Sequence, residues 1–289
     1  MQQNIIRDNS MKNAHIHPTA IIEEGAIIGE SVTIEPYAIV KSNVTLHDNV
    51  IIKSHAYIDG FTEIGKGTTV YPGASIGTKT QDRKFRGEKT FVKIGENCDI
   101  REFVTINSSC GENSAVEIGS GCLIMAYCHV AHNCILGNNV ILSNGAQLAG
   151  HIIVEDNAIV GGMTPIHQNV RIGRHAMVGG LSRVTHDIPP YLLGAGIPFK
   201  FGGVNLVGLK RYNFPLKTQQ LLAEAFKILY RSGMRFTDAI ECIEQTIEPI
   251  PEIVHFTTFC RETKRGLLND QTRSTEESLE PAPIGASGA

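Results

Sequence analysis

At 289 residues the chain is long enough for one large domain and a smaller companion, and its formal net charge of −3 gives no reason to expect general nucleic-acid binding. No run of about 18 apolar residues occurs, so no membrane span is expected. The opening MQQNIIRDNS lacks the apolar core of a signal peptide, which makes a reduced, cytoplasmic setting the default.

Residues 1–13 read as a loose arm. From Ile16 an aliphatic residue then returns at every sixth position, through Ile22, Ile28, Ile34, Val40, Leu46, Ile52, Ile58, Ile64 and Val70 to Ile76. The series resumes at Ile94, Ile100 and Ile106, and again from Ile118 through Leu136, Leu148 and Val160 to Val184. A period of six is neither helical nor a plain two-residue alternation. It predicts a parallel β-helix over 14–189, in which stacking supplies a core that no single repeat can make.

Other slots of the hexad agree. Two residues before the aliphatic the side chain is small, as at Ala14, Ala20, Ala38, Ala56, Thr68 and Ala74, and the shared parity puts both inside a short strand. Cys98, Cys122, Cys128 and Cys134 fill that slot and read as core residues. The seven cysteines include no CxxC, which argues against a zinc site or redox pair. Gly29, Gly65, Gly77, Gly95, Gly119, Gly137, Gly161 and Gly173 follow an aliphatic and are expected at corners where φ is positive. Three hexads make a triangular coil, so residues one coil apart stack at roughly 4.8 Å.

Two polar stretches break the count. One runs over 78–91 and contains TQDRKFRGEK; the other, over 107–115, reads NSSCGENSA. Polar insertions in a solenoid leave one face as loops, and such loops often carry function. The repeats end at Asp187-Ile188-Pro189-Pro190, because proline cannot donate to a ladder.

Over 190–269 the period becomes helical. Thr218 is a candidate cap for a helix to Arg231, with Leu222, Ala225, Phe226 and Leu229 on one face and Gly233 as its stop. A second helix is expected from Thr237. A third is expected from near Pro251, with Ile253, Phe256 and Cys260 inward. The polar tail 270–289, rich in Pro, Gly and Ala, predicts disorder. The flat faces of a β-helical prism suit symmetric packing into a closed ring.

Coil register also points to chemistry. His132 stacks beneath Gly150, which stacks beneath Gln168, while Asn133 stacks beneath His151. An imidazole, a backbone N–H without a side chain and an amide therefore share one outward column. A neutral imidazole can take a proton from an attacking hydroxyl, and a glycine N–H can approach a developing oxyanion. These are the parts needed for acyl transfer.

With HVAHNC (His129 to Cys134), LAGH (Leu148 to His151), GGMTPIHQ (Gly161 to Gln168) and QDRKFRGE (Gln81 to Glu88), the chain resembles the UDP-N-acetylglucosamine O-acyltransferases of lipid A synthesis. The resemblance runs from about Ala14 to Leu268. It implies a left-handed β-helix, a helical C-terminal domain and a homotrimer. It implies transfer of a fatty acyl group, expected to be 3-hydroxyacyl, from acyl carrier protein to the 3-hydroxyl of UDP-N-acetylglucosamine, with no cofactor and no metal. His132 would be the general base and the Gly150 N–H the oxyanion donor. Gln81, Asp82, Lys84, His129, His151, His167, Gln168 and Arg211 would bind substrates, and Met177 and Gly180 would set acyl length. Lys200, Lys210, Arg211, Arg171 and Arg174 are candidate contacts for the acidic carrier. The chain departs from the family pattern at Asn133, where many members carry Asp, and at Tyr212 and Ile197-Pro198. A zinc-holding β-helix would need a His-x4-His pair, which this histidine set lacks. The related N-acyltransferases carry an extra N-terminal uridine-binding domain, for which repeats starting at Ala14 leave no room.

Overall fold

The computed structural model describes residues 13–269. The expected arm, apart from Asn13, and the tail 270–289 lie outside them. Short parallel strands wind into a three-faced prism whose sheets contain eleven, eight and eight strands. The first face starts with His15–Ile16, the second with Ile21–Ile22 and the third with Ile27–Ile28. Each coil pairs with the next in strict register, so that His15 lies on Thr33 and His129 on Gln147.

The hexad aliphatics point inward and from Ile28 onward are buried, as are their small partners Ala38, Ala56, Ala74, Cys98, Cys122, Cys128 and Cys134. The thiols also find acceptors. Cys98, Cys122, Cys128 and Cys134 donate to the carbonyls of Gly119, Gly137, Ser143 and Ala149 at 3.1–3.2 Å. Fully burying one Val, Leu or Ile side chain contributes roughly 1.5–3 kcal/mol. An exposed ion pair between coils, such as Lys53–Glu35 at 2.7 Å, contributes about 0–1 kcal/mol. The core therefore sets the register and leaves the outer positions free.

The glycines after each aliphatic serve a different purpose from the one expected. Among them only Gly77 has a positive φ, 76°. The left-handed corner falls three residues before each aliphatic, at Asn49 (φ 58°), Asn139 (φ 55°) and their equivalents. The glycines are needed because the next coil passes too close. A Cβ at Gly119 would sit 2.6 Å from the backbone of Gly137, and one at Gly161 would sit 2.3 Å from the Gly180 nitrogen.

Residues 190 onward also differ from the helical reading. Leu192–Ala195 continues the first face, and Lys200–Val204 returns antiparallel to it. The alternation that makes this hairpin is visible in Phe199 and Phe201, both buried while Lys200 is exposed. Helices begin only at α1 (Leu206–Arg211), followed by α2 (Leu216–Arg231), α3 (Phe236–Thr246) and α4 (Pro251–Arg261). Pro215 rather than Thr218 precedes α2, and Thr218 is buried within its first turn. Leu222, Ala225, Phe226 and Leu229 form the buried face of α2, and Ile253, Phe256 and Cys260 that of α4. Among the described residues no helix is long and apolar enough to cross a membrane.

The helices are bolted to the last coils. Arg171 lays its guanidinium 4.1 Å from the Phe259 ring centre, His255 contacts Glu155 at 2.9 Å, and Thr263 donates to Asp187 at 2.8 Å. His175 lies between the coils and α1, buried against the rings of Tyr191, Tyr212 and Phe214. Burial, with the nearby Arg174 charge as a lesser cause, pushes its pKa down to about 4. The unfolded ring titrates near 6.5. A folded pKa below the unfolded one means that this stability is complete above about pH 6.5 and is lost as pH falls toward 4. His175→Phe should therefore flatten the loss of denaturant midpoint between pH 7 and pH 5 compared with the parent. Equal slopes for the two proteins would show that His175 does not titrate on unfolding.

Candidate active site

Both insertions leave the prism at one edge. Ser75–Thr78 lies on the second face and Phe91–Ile94 on the third, so the loop 79–90 spans the edge between them. The loop 108–114 joins Thr105–Asn107 to Ala115–Ile118 at the same edge one coil later. The next three turns at this edge carry His132 and Asn133, then Gly150 and His151, then His167 and Gln168. Unequal loops thus overhang a column of polar residues that equal coils have stacked.

His132 is the centre of this arrangement, with its side chain only 11% exposed. Its ring rests on Gly150. A Cβ added there would lie 2.3 Å from Cε1 and 2.4 Å from Nε2, so any larger residue displaces the imidazole. Nδ1 lies 2.9 Å from Asn133 Oδ1. Nε2 faces Asp82 Oδ2 at 3.5 Å. The Asp82 carboxylate is aimed by a local turn, because its other oxygen accepts the Lys84 backbone N–H at 2.8 Å. Among the described residues nothing accepts from the Gly150 N–H.

The other histidines surround His132. His151 meets His132 edge to face, with ring centres 5.1 Å apart. Burial, followed by the His132 charge, holds His151 below the usual histidine range. His129 points outward from the second face on the strand that leads into the turn of His132, and its Nδ1 lies 2.7 Å from Thr105 Oγ1. Burial, again with His132 second, lowers its pKa too. Both rings are therefore biased toward the neutral form. His167 and Gln168 are exposed, and His167 Nδ1 donates to the Gln168 carbonyl at 3.2 Å. Gln81 and Lys84 are exposed on the first loop. Among the described residues no three His, Cys, Asp or Glu side chains group to hold a metal ion.

Three predicted site residues lie elsewhere on the chain. Met177 projects from the first face, and Gly180 sits at the edge between the first and second faces. Arg211 ends α1 beside Tyr212, whose ring lies 4.7 Å from His175 at the edge between the third and first faces. Thr105 and Cys110 belong to the site but were not picked out from the sequence. Thr105 could have been found by continuing the register across the second insertion, where it pairs with His129. Cys110 meets the Asn133 side chain through its main-chain N–H and carbonyl, at 3.2 and 3.1 Å, and for such a contact the sequence carries no signal.

A prism of stacked hexapeptide repeats followed by a small helical domain is the architecture of a bacterial hexapeptide transferase. The comparisons agree. The hexapeptide transferase model matches residues 25–60 and 115–150, and the model for domain 2 of UDP-N-acetylglucosamine O-acyltransferase matches residues 187–268. The acyl-[acyl-carrier-protein]--UDP-N-acetylglucosamine O-acyltransferase of Chlamydia caviae is 55% identical over 92% of this chain and 96% of its own length. The solved LpxA of Bacteroides fragilis superposes with a TM-score of 0.86 at 38% identity, covering 88% of this chain and all of its own (100%). The Campylobacter jejuni UDP-N-acetylglucosamine acyltransferase gives 0.82 at 41%, covering 88% and 99%. The chain belongs to the UDP-N-acetylglucosamine O-acyltransferase family, and its repeats, parallel sheets and C-terminal helices match that family's left-handed β-helix.

Gly150→Ala tests the ring's seat. Its φ is not left-handed, so alanine strains nothing there except the contact with His132. The variant should keep its melting temperature within a few degrees and lose at least ~10²-fold in kcat, the lower end of what a positioned base contributes. Near-normal turnover would show that the chemistry does not need the ring where it lies.

Proposed function

We propose that this chain transfers a fatty acyl group, of the 3-hydroxyacyl type, from acyl carrier protein to the 3-hydroxyl of UDP-N-acetylglucosamine, the first step of lipid A synthesis. Family membership supports the reaction, and the seating of His132 on Gly150 carries the mechanism. His132 Nε2 takes the proton of the sugar hydroxyl as its oxygen attacks the thioester carbonyl. The tetrahedral oxyanion is received by the Gly150 N–H, one such donor contributing roughly 3–4 kcal/mol. Collapse breaks the carbon–sulfur bond, and the imidazolium returns its proton to the departing thiolate. The ester and the free carrier thiol leave with no net change in protons.

Asp82, at 3.5 Å from Nε2, stands where the acceptor hydroxyl must come. In this reading the sugar displaces that contact, and Asp82 and Lys84 then hold the sugar or acyl chain. His129, His151, His167 and Gln168 line the approach along the same edge. Met177 on the first face, Gly180 at another edge and Arg211 on α1 lie away from this edge and reach such a site only from a neighbouring copy. This favours catalysis at the grooves of a homotrimer. Tyr37, Phe103, Tyr127, Met163 and Leu181, all exposed apolar residues at the edge between the first and second faces, supply area for that packing.

For the carrier, Lys200, Lys210 and Arg211 are exposed and unpaired among the described residues. Arg171 is spent on Phe259, and Arg174 lies 3.7 Å from Asp156. The docking surface is therefore assigned to the first three.

Purified protein supplied with acyl-carrier thioesters and UDP-N-acetylglucosamine should form the 3-O-acyl product. His132→Ala should cost at least ~10²–10⁴-fold in kcat with unfolding unchanged. Substantial turnover by that variant would remove His132 from the role of base.

A further inference from the structure

Asparagine at this corner has an ordinary explanation. The same hexad slot is left-handed at Asn49, Asn97, Asn139, Asn157 and Asn169, and asparagine tolerates that conformation. Asn133, with φ 58°, fits the series. Its side chain, however, is held on both sides by one residue of the second insertion loop. The Cys110 N–H donates to Asn133 Oδ1 at 3.2 Å, and Asn133 Nδ2 donates to the Cys110 carbonyl at 3.1 Å. A backbone N–H can only donate and a carbonyl can only accept, so this pair admits one orientation of the amide. Flipping it would set donor against donor and acceptor against acceptor.

The consequence reaches the base. With Oδ1 fixed as the atom facing His132, the Nδ1 position at 2.9 Å must carry the hydrogen. Neutral His132 then presents the Nε2 lone pair outward, which is the tautomer a general base needs. An amide of free orientation can fail in this role. Replacing the buried aspartate of a serine-protease triad by asparagine costs about 10⁴-fold in kcat, because the amide stabilises the wrong tautomer. We infer that the main chain of Cys110 makes Asn133 a positioning residue for His132, so that the loop 108–114 belongs to the catalytic apparatus and selects asparagine over aspartate. An aspartate would set a carboxylate oxygen against the Cys110 carbonyl.

The loop is built to hold this position. Ser109 is fully buried, Ser108 N–H donates to the Thr78 carbonyl at 2.8 Å, and Ser114 Oγ donates to the Gly111 carbonyl at 2.6 Å. The inference rests on His132 being the base, but it can be tested apart from that role.

The experiment joins ¹⁵N NMR of the histidine-labelled full chain with kinetics. In the parent at a pH where the ring is neutral, His132 should show a protonated Nδ1 and an unprotonated Nε2. Asn133→Gly removes the amide without straining the left-handed corner. It should mix the two tautomers and lower kcat about 10- to 100-fold, with KM for UDP-N-acetylglucosamine within about twofold. Asn133→Asp should be less active than the parent. A parent ring protonated at Nε2, an unchanged kcat in Asn133→Gly, or an Asn133→Asp more active than the parent would each overturn the inference. Full activity of His132→Ala would instead bring down the base assignment, while the tautomer signal would still report on the clamp.

Discussion

The structure depends on coils that stack in register around a continuous aliphatic core. Each inward side chain is held by about 1.5–3 kcal/mol of burial, and a slip of one residue would turn it outward. Summed over the repeats, that penalty fixes the height and direction of every outer position. A rigid address system results, in which residues one coil apart face the same way. Fitting chemistry to such a scaffold requires only placing polar residues at outer slots, since those slots contribute little to the fold.

At one edge the scaffold is deliberately uneven. Two coils lengthen there into loops, and the following coils keep their length, so the loops overhang the column beneath. The first loop brings Asp82 to His132 at 3.5 Å and the second brings Cys110 to Asn133. His132 therefore sits almost covered, on the bare backbone of Gly150. Glycine serves two ends at that position. It leaves room for the ring, and its N–H is unshielded by any side chain.

Much of this could be read from the sequence because a solenoid turns counting into geometry. The pairing of His132 with Gly150 needed only the coil length, and the burial of Cys98, Cys122, Cys128 and Cys134 needed only their slot. What escaped was whatever the hexad does not encode. The glycines after each aliphatic were read for backbone freedom, whereas they relieve close approach between coils. The hairpin Leu192–Val204 was hidden because its partner strand runs antiparallel and breaks the count. The packing of Arg171 on Phe259 escaped because only the helical domain brings that ring near. Cys110 bonds to Asn133 through its main chain, which no residue type announces.

The hand of the coil comes from kinship rather than from spacing, since the parallel pattern alone is compatible with either turn. The stacking of His132, Gly150 and Gln168 at one edge, by contrast, follows from the chain's own register. The most direct measurement of the account is a crystal structure with UDP-N-acetylglucosamine bound. The account predicts the sugar 3-hydroxyl within hydrogen-bond reach of His132 Nε2, about 2.6–3.2 Å, at the edge between the second and third faces, with Asp82 moved off that nitrogen. A sugar seated on another edge, or one presenting a different atom to His132, would contradict it.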